Sequence, residues 1–146
     1  MDSIEQLLAQ MRGEDHTRAY QCLKLLEEES SNSDAVSPCL DLFIELMDSP
    51  NSYLRARGLR LIAANAGWDS EGKVDRIIDR YLTHILDEKP TTARQCIQAL
   101  PLIARARPGL TSRIREALSS ADLSGYADSM EPLLRKDIEA ALKQIS

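Results

Sequence analysis

The residues of this chain best suited to binding another molecule are four arginines in its middle part, Arg57, Arg60, Arg94 and Arg105. Each lies in a segment that contains no Asp or Glu. A guanidinium group makes forked hydrogen bonds to carboxylate and phosphate groups. These four side chains are therefore candidate contacts for an acidic peptide or another anionic surface.

Charges in the middle of the chain are divided between neighbouring segments. The basic segments, which carry no acidic residue, contain Arg55, Arg57, Arg60, Arg94, Arg105 and Arg107. The segments that precede them contain Asp41, Glu45, Asp48, Asp75, Asp79, Asp87 and Glu88. Such a division predicts one basic and one acidic face.

A second interpretation gives some of these arginines a structural role. Asp48 lies seven residues before Arg55, and Asp87 lies seven residues before Arg94. This regular offset favours structural ion pairs, within or between units of the fold, for Arg55 and Arg94. For the two binding candidates that lie between them in the sequence, both roles stay open.

Catalytic arrangements are not indicated. The two histidines, His16 and His84, form no HExxH or Ser/His/Asp pattern, and no glycine-rich phosphate loop is present. Cys22, Cys39 and Cys96 lack CxxC spacing and fall on apolar stripes, as reduced core thiols do. We expect a non-enzymatic protein without a metal or cofactor.

The composition is that of a single globular domain spanning residues 1–146. Hydrophobic residues make up 43% of the chain, aromatic residues 4%, and the net charge is −5. That charge argues against a general nucleic-acid binder. No long apolar run and no basic, signal-like start occur, so a cytoplasmic protein without membrane contact is expected.

Apolar residues recur every three or four positions along nearly the whole chain, which is the period of an α-helix. Eight such stripes can be counted, and strand-like alternation is absent. The stripes span 4–11, 19–26, 36–47, 54–66, 74–85, 93–104, 110–121 and 134–145. The sequence predicts an all-α protein of eight helices.

These helices are predicted to form four similar hairpins. Arg18, Arg55, Arg94 and Arg135 stand near the start of every second helix, 37, 39 and 41 residues apart. The segments MDSPNSYLRARGLRLIAANAG and ILDEKPTTARQCIQALPLIA show the pattern of helix end, polar turn and returning helix. Approximate units are 1–30, 35–67, 69–107 and 108–146.

This pattern resembles HEAT repeats, the helical hairpins of about forty residues that build armadillo-like solenoids. The resemblance implies a right-handed α-α superhelix of about four hairpins. It also implies that the second helices line a concave surface, which would be a basic groove with an acidic outer back. Fold likeness alone does not define a function.

The resemblance implies a protein-protein interaction module or accessory subunit that binds another protein or an acidic peptide, as a monomer or with weak self-association. One alternative is a nucleic-acid-binding protein related to HEAT-like DNA alkylation-repair glycosylases. This is disfavoured because the central second helices lack an acidic residue. Another alternative is a helper or chaperone subunit of a different enzyme.

Three further expectations concern single positions. Gly58, inside a helix, predicts a close approach of a neighbouring helix, because glycine otherwise costs a helix about 1 kcal/mol against alanine. Trp68 is a binding anchor or a wedge that covers a hairpin junction. The run Glu27 to Glu29 is expected to be a solvated helix end.

Overall fold

The computed structural model describes residues 2–145, and within them the chain is helical, with eight α-helices and no strand. Both the all-α class and the number of helices are confirmed. The helices are α1 (Ile4–Met11), α2 (His16–Asn32), α3 (Leu40–Met47), α4 (Ser52–Asn65), α5 (Lys73–Thr83), α6 (Pro90–Ala106), α7 (Thr111–Ser119) and α8 (Glu131–Ile145). Short 3-10 turns lie at Ser37–Cys39, Ala66–Trp68, His84–Leu86, Pro108–Leu110 and Leu123–Gly125.

Neighbouring helices pack in a regular order. α1 packs against α2, α3 against α4 and α7 against α8, while α6 packs against the 3-10 turn that continues α5. The even-numbered helices also contact one another in chain order, α2 with α4, α4 with α6, and α6 with α8. A layer of even-numbered helices therefore runs through the molecule.

The predicted stripes form one continuous apolar core. Cys22 and Cys96 are fully buried in it, as expected, whereas Cys39 is half-buried in the 3-10 turn before α3. Burial raises the pKa of the Cys96 and Cys39 thiols, which keeps both in the neutral form at neutral pH. Among residues 2–145, no helix has the length and apolarity needed to cross a bilayer.

Gly58 marks the closest approach of α4 to α3, as the sequence predicts. A Cβ atom at this position would lie 2.8 Å from the Leu46 Cβ, the Met47 backbone nitrogen and the Phe43 carbonyl oxygen. Two of these three atoms belong to the α3 backbone, which cannot move aside without shifting the helix. Only glycine fits this contact.

Arg55 forms a buried, two-pronged ion pair with Asp87, which follows α5. Its Nε lies 3.0 Å from Asp87 Oδ2 and its second terminal nitrogen lies 2.8 Å from Oδ1. The remaining terminal nitrogen donates to the carbonyl oxygens of Ser49 and Pro50. Both charges are thus desolvated and satisfied, and the pair joins α4 to the turn that leads into α6.

The expected pairing of Arg55 with Asp48 is not the one that forms. Asp48, at the end of α3, pairs instead with Arg80 on α5, and Asp41 on α3 pairs with Lys73 on α5 at 3.1 Å. Acidic residues in and directly after α3 therefore meet basic residues of α5. The register between stacked helices decides the partner, and the offset along the sequence does not.

Gly58→Ala is predicted to lower the free energy of unfolding by about 2 kcal/mol, because the added methyl group overpacks the α3–α4 contact. Gly67→Ala is the matched control, since its Cβ would meet no atom within 4 Å. That change should stay within about 0.5 kcal/mol of the parent protein. Urea denaturation of both variants checks the difference, and equal stabilities would show that α3 and α4 are not in close contact.

Asp87→Asn is predicted to cost about 3 kcal/mol at pH 7, because Arg55 stays buried without a counter-charge. Burial alone raises the pKa of Asp87, but hydrogen bonds from Arg55, His84 and the Lys89 amide outweigh it and hold the pKa below its ordinary value. The stabilising contribution is therefore fully present above the ordinary carboxyl pKa, and it is lost as the pH falls through the lower pKa of the folded state.

Acid denaturation measures the loss of the stabilisation that ionised Asp87 contributes. The difference in stability between the parent and Asp87→Asn should shrink as the pH falls below about 4. Asp79→Asn, at an exposed carboxylate of α5, serves as the control and should change little at any pH. A difference that stays constant down to acid pH would mean that Asp87 is not ionised in the folded protein.

Candidate binding groove

Three adjoining cavities follow the layer of even-numbered helices, with α4 between α2 and α6, and we call them together the groove. The first, of about 610 Å³, lies at the Tyr53 end. It shares Tyr20, Arg60 and Gln95 with a middle cavity of about 380 Å³. The middle cavity shares Ala63 and Leu102 with a third, of about 330 Å³, at the Trp68 end.

Large exposed apolar side chains are concentrated in this groove. Residues 2–145 expose seven of them, and four line its cavities: Tyr20 (52% exposed), Tyr53 (54%), Trp68 (42%) and Leu102 (41%). Exposed apolar groups that cluster, rather than scatter, are typical of interaction surfaces. Trp68 is also anchored, because its Nε1 donates to the Ser30 carbonyl oxygen at 2.7 Å.

Arg57, a predicted contact, lines the Tyr53 end but is only 7% exposed. One terminal nitrogen donates to the carbonyl oxygens of Met11 (2.9 Å) and Gly13 (3.4 Å), at the end of α1. A cation is favourable there because helix carbonyls give this end a negative partial charge. Burial lowers the pKa of Arg57, and within residues 2–145 no carboxylate pairs with it.

His16 and Tyr53 form an aromatic wall beside Arg57. Their ring centroids are 3.9 Å apart and nearly parallel, and the Arg57 guanidinium lies 5.6 Å from the Tyr53 ring centre. The other Arg57 terminal nitrogen lies 3.1 Å from His16 Nδ1. Because a guanidinium can only donate, Nδ1 accepts, and the His16 proton resides on Nε2.

Arg60, the second predicted contact, lies in the middle of the groove and is partly neutralised there. Glu27 on α2 accepts two hydrogen bonds from it, at 2.7 and 2.9 Å, and Gln95 accepts a third at 3.3 Å. Its guanidinium also lies 5.6 Å from the Tyr20 ring centre. Burial lowers the pKa of Arg60, but the Glu27 carboxylate more than offsets this and leaves it raised.

The role expected for Glu27 is thus wrong. The sequence predicts that it belongs to a solvated helix end, yet its carboxylate reaches across to α4 and forms one wall of the middle cavity.

The other two predicted contacts lie in different surroundings. Arg94 pairs with Asp137 on α8, at 2.7 Å from its Nε, instead of with the expected Asp87. It lines none of the three cavities. Arg105 lines the Trp68 end and is exposed, and it makes no hydrogen bond or ion pair with any described residue.

Sequence reasoning missed several groove residues, among them His16, Tyr20, Tyr53, Lys89 and Leu102. Lys89 directly precedes α6, and its exposed ammonium group has no partner within residues 2–145. A signal existed for Tyr20 and Tyr53, because both rings fall outside the apolar stripes of their helices. An aromatic side chain that lies outside the apolar stripe of its helix is a candidate for binding another molecule.

Charge varies along the groove. The Tyr53 end is lined by Arg57, Arg60 and Lys89, and no described Asp or Glu lines it. The middle cavity includes the Glu27 carboxylate opposite Arg60, and the Trp68 end has Arg105 alone. The groove is therefore basic at both ends and internally neutralised in the middle.

Residues 2–145 hold no cluster of three or more His, Cys, Asp or Glu side chains placed to bind a metal ion. Comparison with protein-family models, with curated proteins and with solved structures finds no match for this chain.

Arg57→Met is predicted to lower the free energy of unfolding by about 2 kcal/mol, because the α1 carbonyls lose their charged donor. Backbone amides of α1 should exchange with solvent faster, while those of α6 change little. Hydrogen-exchange mass spectrometry makes this comparison. Arg76→Met, at an exposed arginine of α5, is the matched control, and unchanged α1 protection in Arg57→Met would contradict the assigned role.

Proposed function

We propose that this chain is a HEAT-like, non-enzymatic binding module whose groove takes an acidic segment of another protein. The observation that carries the proposal is the joint occurrence, in one groove, of four exposed apolar side chains and basic groups without an intramolecular carboxylate partner. Arg57, Lys89 and Arg105 are those basic groups. Apolar anchors supply affinity and cations select an acidic partner.

The packing order supports the superhelical part of the proposal. Helices pair along the chain, and the even-numbered helices contact each other in sequence, as stacked hairpins require. Each junction within the even-numbered layer also contains an ion pair: Arg60 with Glu27, Arg55 with Asp87, and Arg94 with Asp137. A right-handed superhelix with the even-numbered helices on its concave side accounts for both features.

The partner is expected to be a peptide segment with both acidic and apolar side chains. The cavity at the Tyr53 end, about 610 Å³, is within the range of about 300–1,000 Å³ that is usual for ligand pockets. A net charge of −5 disfavours a polyanion such as duplex DNA, because the rest of the surface would repel it. A short segment meets only the local basic groups.

An accessory or helper subunit is one form of this function. A module of this size can hold a partner subunit by one of its segments and contribute no reactive group of its own. The groove is lined by arginines, an ammonium group, tyrosines and amides, which can bind a partner segment through hydrogen bonds, charge and aromatic contacts.

Peptide selection tests the proposal even though the partner is unidentified. The full chain is immobilised and used to select from a library of synthetic random peptides that have free C-termini and include phosphoserine. Enrichment of sequences that combine Asp or Glu with aromatic or aliphatic residues is expected. Enrichment of basic sequences, or none, would contradict the proposal. So would tight binding of duplex DNA with the steep salt dependence of phosphate contacts.

Charge reversal then locates the site. Lys89→Glu combined with Arg105→Glu should weaken binding of a selected peptide at least about tenfold, a loss of about 1.4 kcal/mol. Neither side chain makes an ion pair in the described structure, so folding should be unaffected. Arg76→Glu combined with Lys136→Glu, at exposed positions that line none of the three cavities, changes the net charge by the same amount and is the control. Equal losses in both variants, measured by fluorescence anisotropy, would place the interaction outside the groove.

A further inference from the structure

The Tyr53 end of the groove holds a buried cation without a counter-ion. Arg57 is only 7% exposed, and within residues 2–145 it contacts carbonyl oxygens, an imidazole nitrogen and an aromatic face, but no carboxylate. Buried charges in proteins are normally paired, because an uncompensated charge is costly to desolvate. The described residues therefore balance the Arg57 charge with neutral dipoles alone, and an anion in this cavity would add a full counter-charge.

Arg57 has the donors to bind that anion. Its contacts with Met11, Gly13 and His16 use at most three of its five N–H groups. The same contacts fix the guanidinium in place, so little side-chain freedom remains to be lost when a ligand binds. The low exposure also strengthens the attraction for an anion, since less water screens it.

The other polar groups of this cavity are mainly donors as well. Lys89 contributes an unpaired ammonium group, and the hydroxyl groups of Ser52 and Thr91 line the same cavity. The amide oxygen of Gln95, an acceptor, is already engaged by Arg60. A cavity with an excess of donors and no lining carboxylate fits a compact oxyanion.

We propose that the Tyr53 end is an oxyanion site that binds a phosphoryl group or the terminal carboxylate of the partner segment, and so fixes the direction in which that segment lies. This rests on the proposed function and deepens it. The oxyanion meets Arg57 and Lys89, and an apolar side chain of the same segment lies toward Trp68 and Leu102. The groove would then recognise one charged group at a defined place and not acidity in general.

The first test uses inorganic phosphate as the probe, at constant pH and ionic strength. NMR spectra of the labelled full chain should show saturable shifts at the Arg57 side-chain Nε–H and at the backbone amides of Lys89 and Thr91. Lys89→Gln should weaken phosphate binding at least about threefold, because it removes one unpaired positive charge from the cavity. Arg76→Gln should leave it unchanged. Shifts that do not saturate, or that are equal in both variants, would overturn the proposal.

A second set of probes separates the two sources of the anion. N-acetyl-phosphoserine amide is compared with N-acetyl-serine amide, and N-acetyl-leucine with its amide. Saturable binding of the phosphorylated compound alone assigns a phosphoryl group, and binding of the free acid alone assigns a chain terminus. Binding of neither charged compound overturns the oxyanion site.

Peptide binding and phosphate binding together distinguish failure of the oxyanion site from failure of the proposed function. If selected acidic peptides bind the groove but no small oxyanion does, the oxyanion site is wrong and the proposed function stands. If phosphate binds at Arg57 while no peptide is selected, the proposed partner class is wrong and the site stands.

Discussion

The buried ion pair between Arg55 and Asp87 is the contact on which the spacing of the helices around the groove depends. It ties α4 to the turn before α6, and Asp87 also accepts hydrogen bonds from His84 and from the Lys89 amide. The Tyr126 hydroxyl donates to the Asp87 carbonyl oxygen at 2.6 Å, which attaches the segment before α8 to the same turn. Such a pair is satisfied only when both partners are in place, so it fixes the separation of α4 and α6.

Guanidinium groups serve two purposes in this fold. Arg55 pairs with Asp87 in the turn before α6, Arg94 pairs with Asp137 on α8, and both pairs hold the layer of even-numbered helices together. Arg57 and Arg60 also contact neighbouring helices, yet both remain in the wall of an open cavity. Arg105 alone of these five makes no contact with a described charged or polar group. The basic wall of the groove is thus built largely from residues that also contact neighbouring helices.

Some of this follows from the sequence. The apolar period predicts the eight helices, because helix formation depends on residues close together in the sequence. Gly58 predicts the tight α3–α4 contact, because that contact depends on the absence of a side chain. The carboxylate partners of Arg55 and Arg94 cannot be predicted in this way, since they are set by the register between packed helices that are distant in the sequence. The ion pair between Glu27 and Arg60 cannot be predicted either, because it depends on how α2 packs against α4.

In the proposed binding mode, the groove along the layer of even-numbered helices receives an acidic segment. A crystal structure of the full chain with a selected acidic peptide tests this most directly. Peptide density is expected along α2, α4 and α6, with a carboxylate or phosphoryl group beside Arg57 and an apolar side chain near Trp68. Density on the odd-numbered helices, or at either end of the layer of even-numbered helices, would rule this binding mode out.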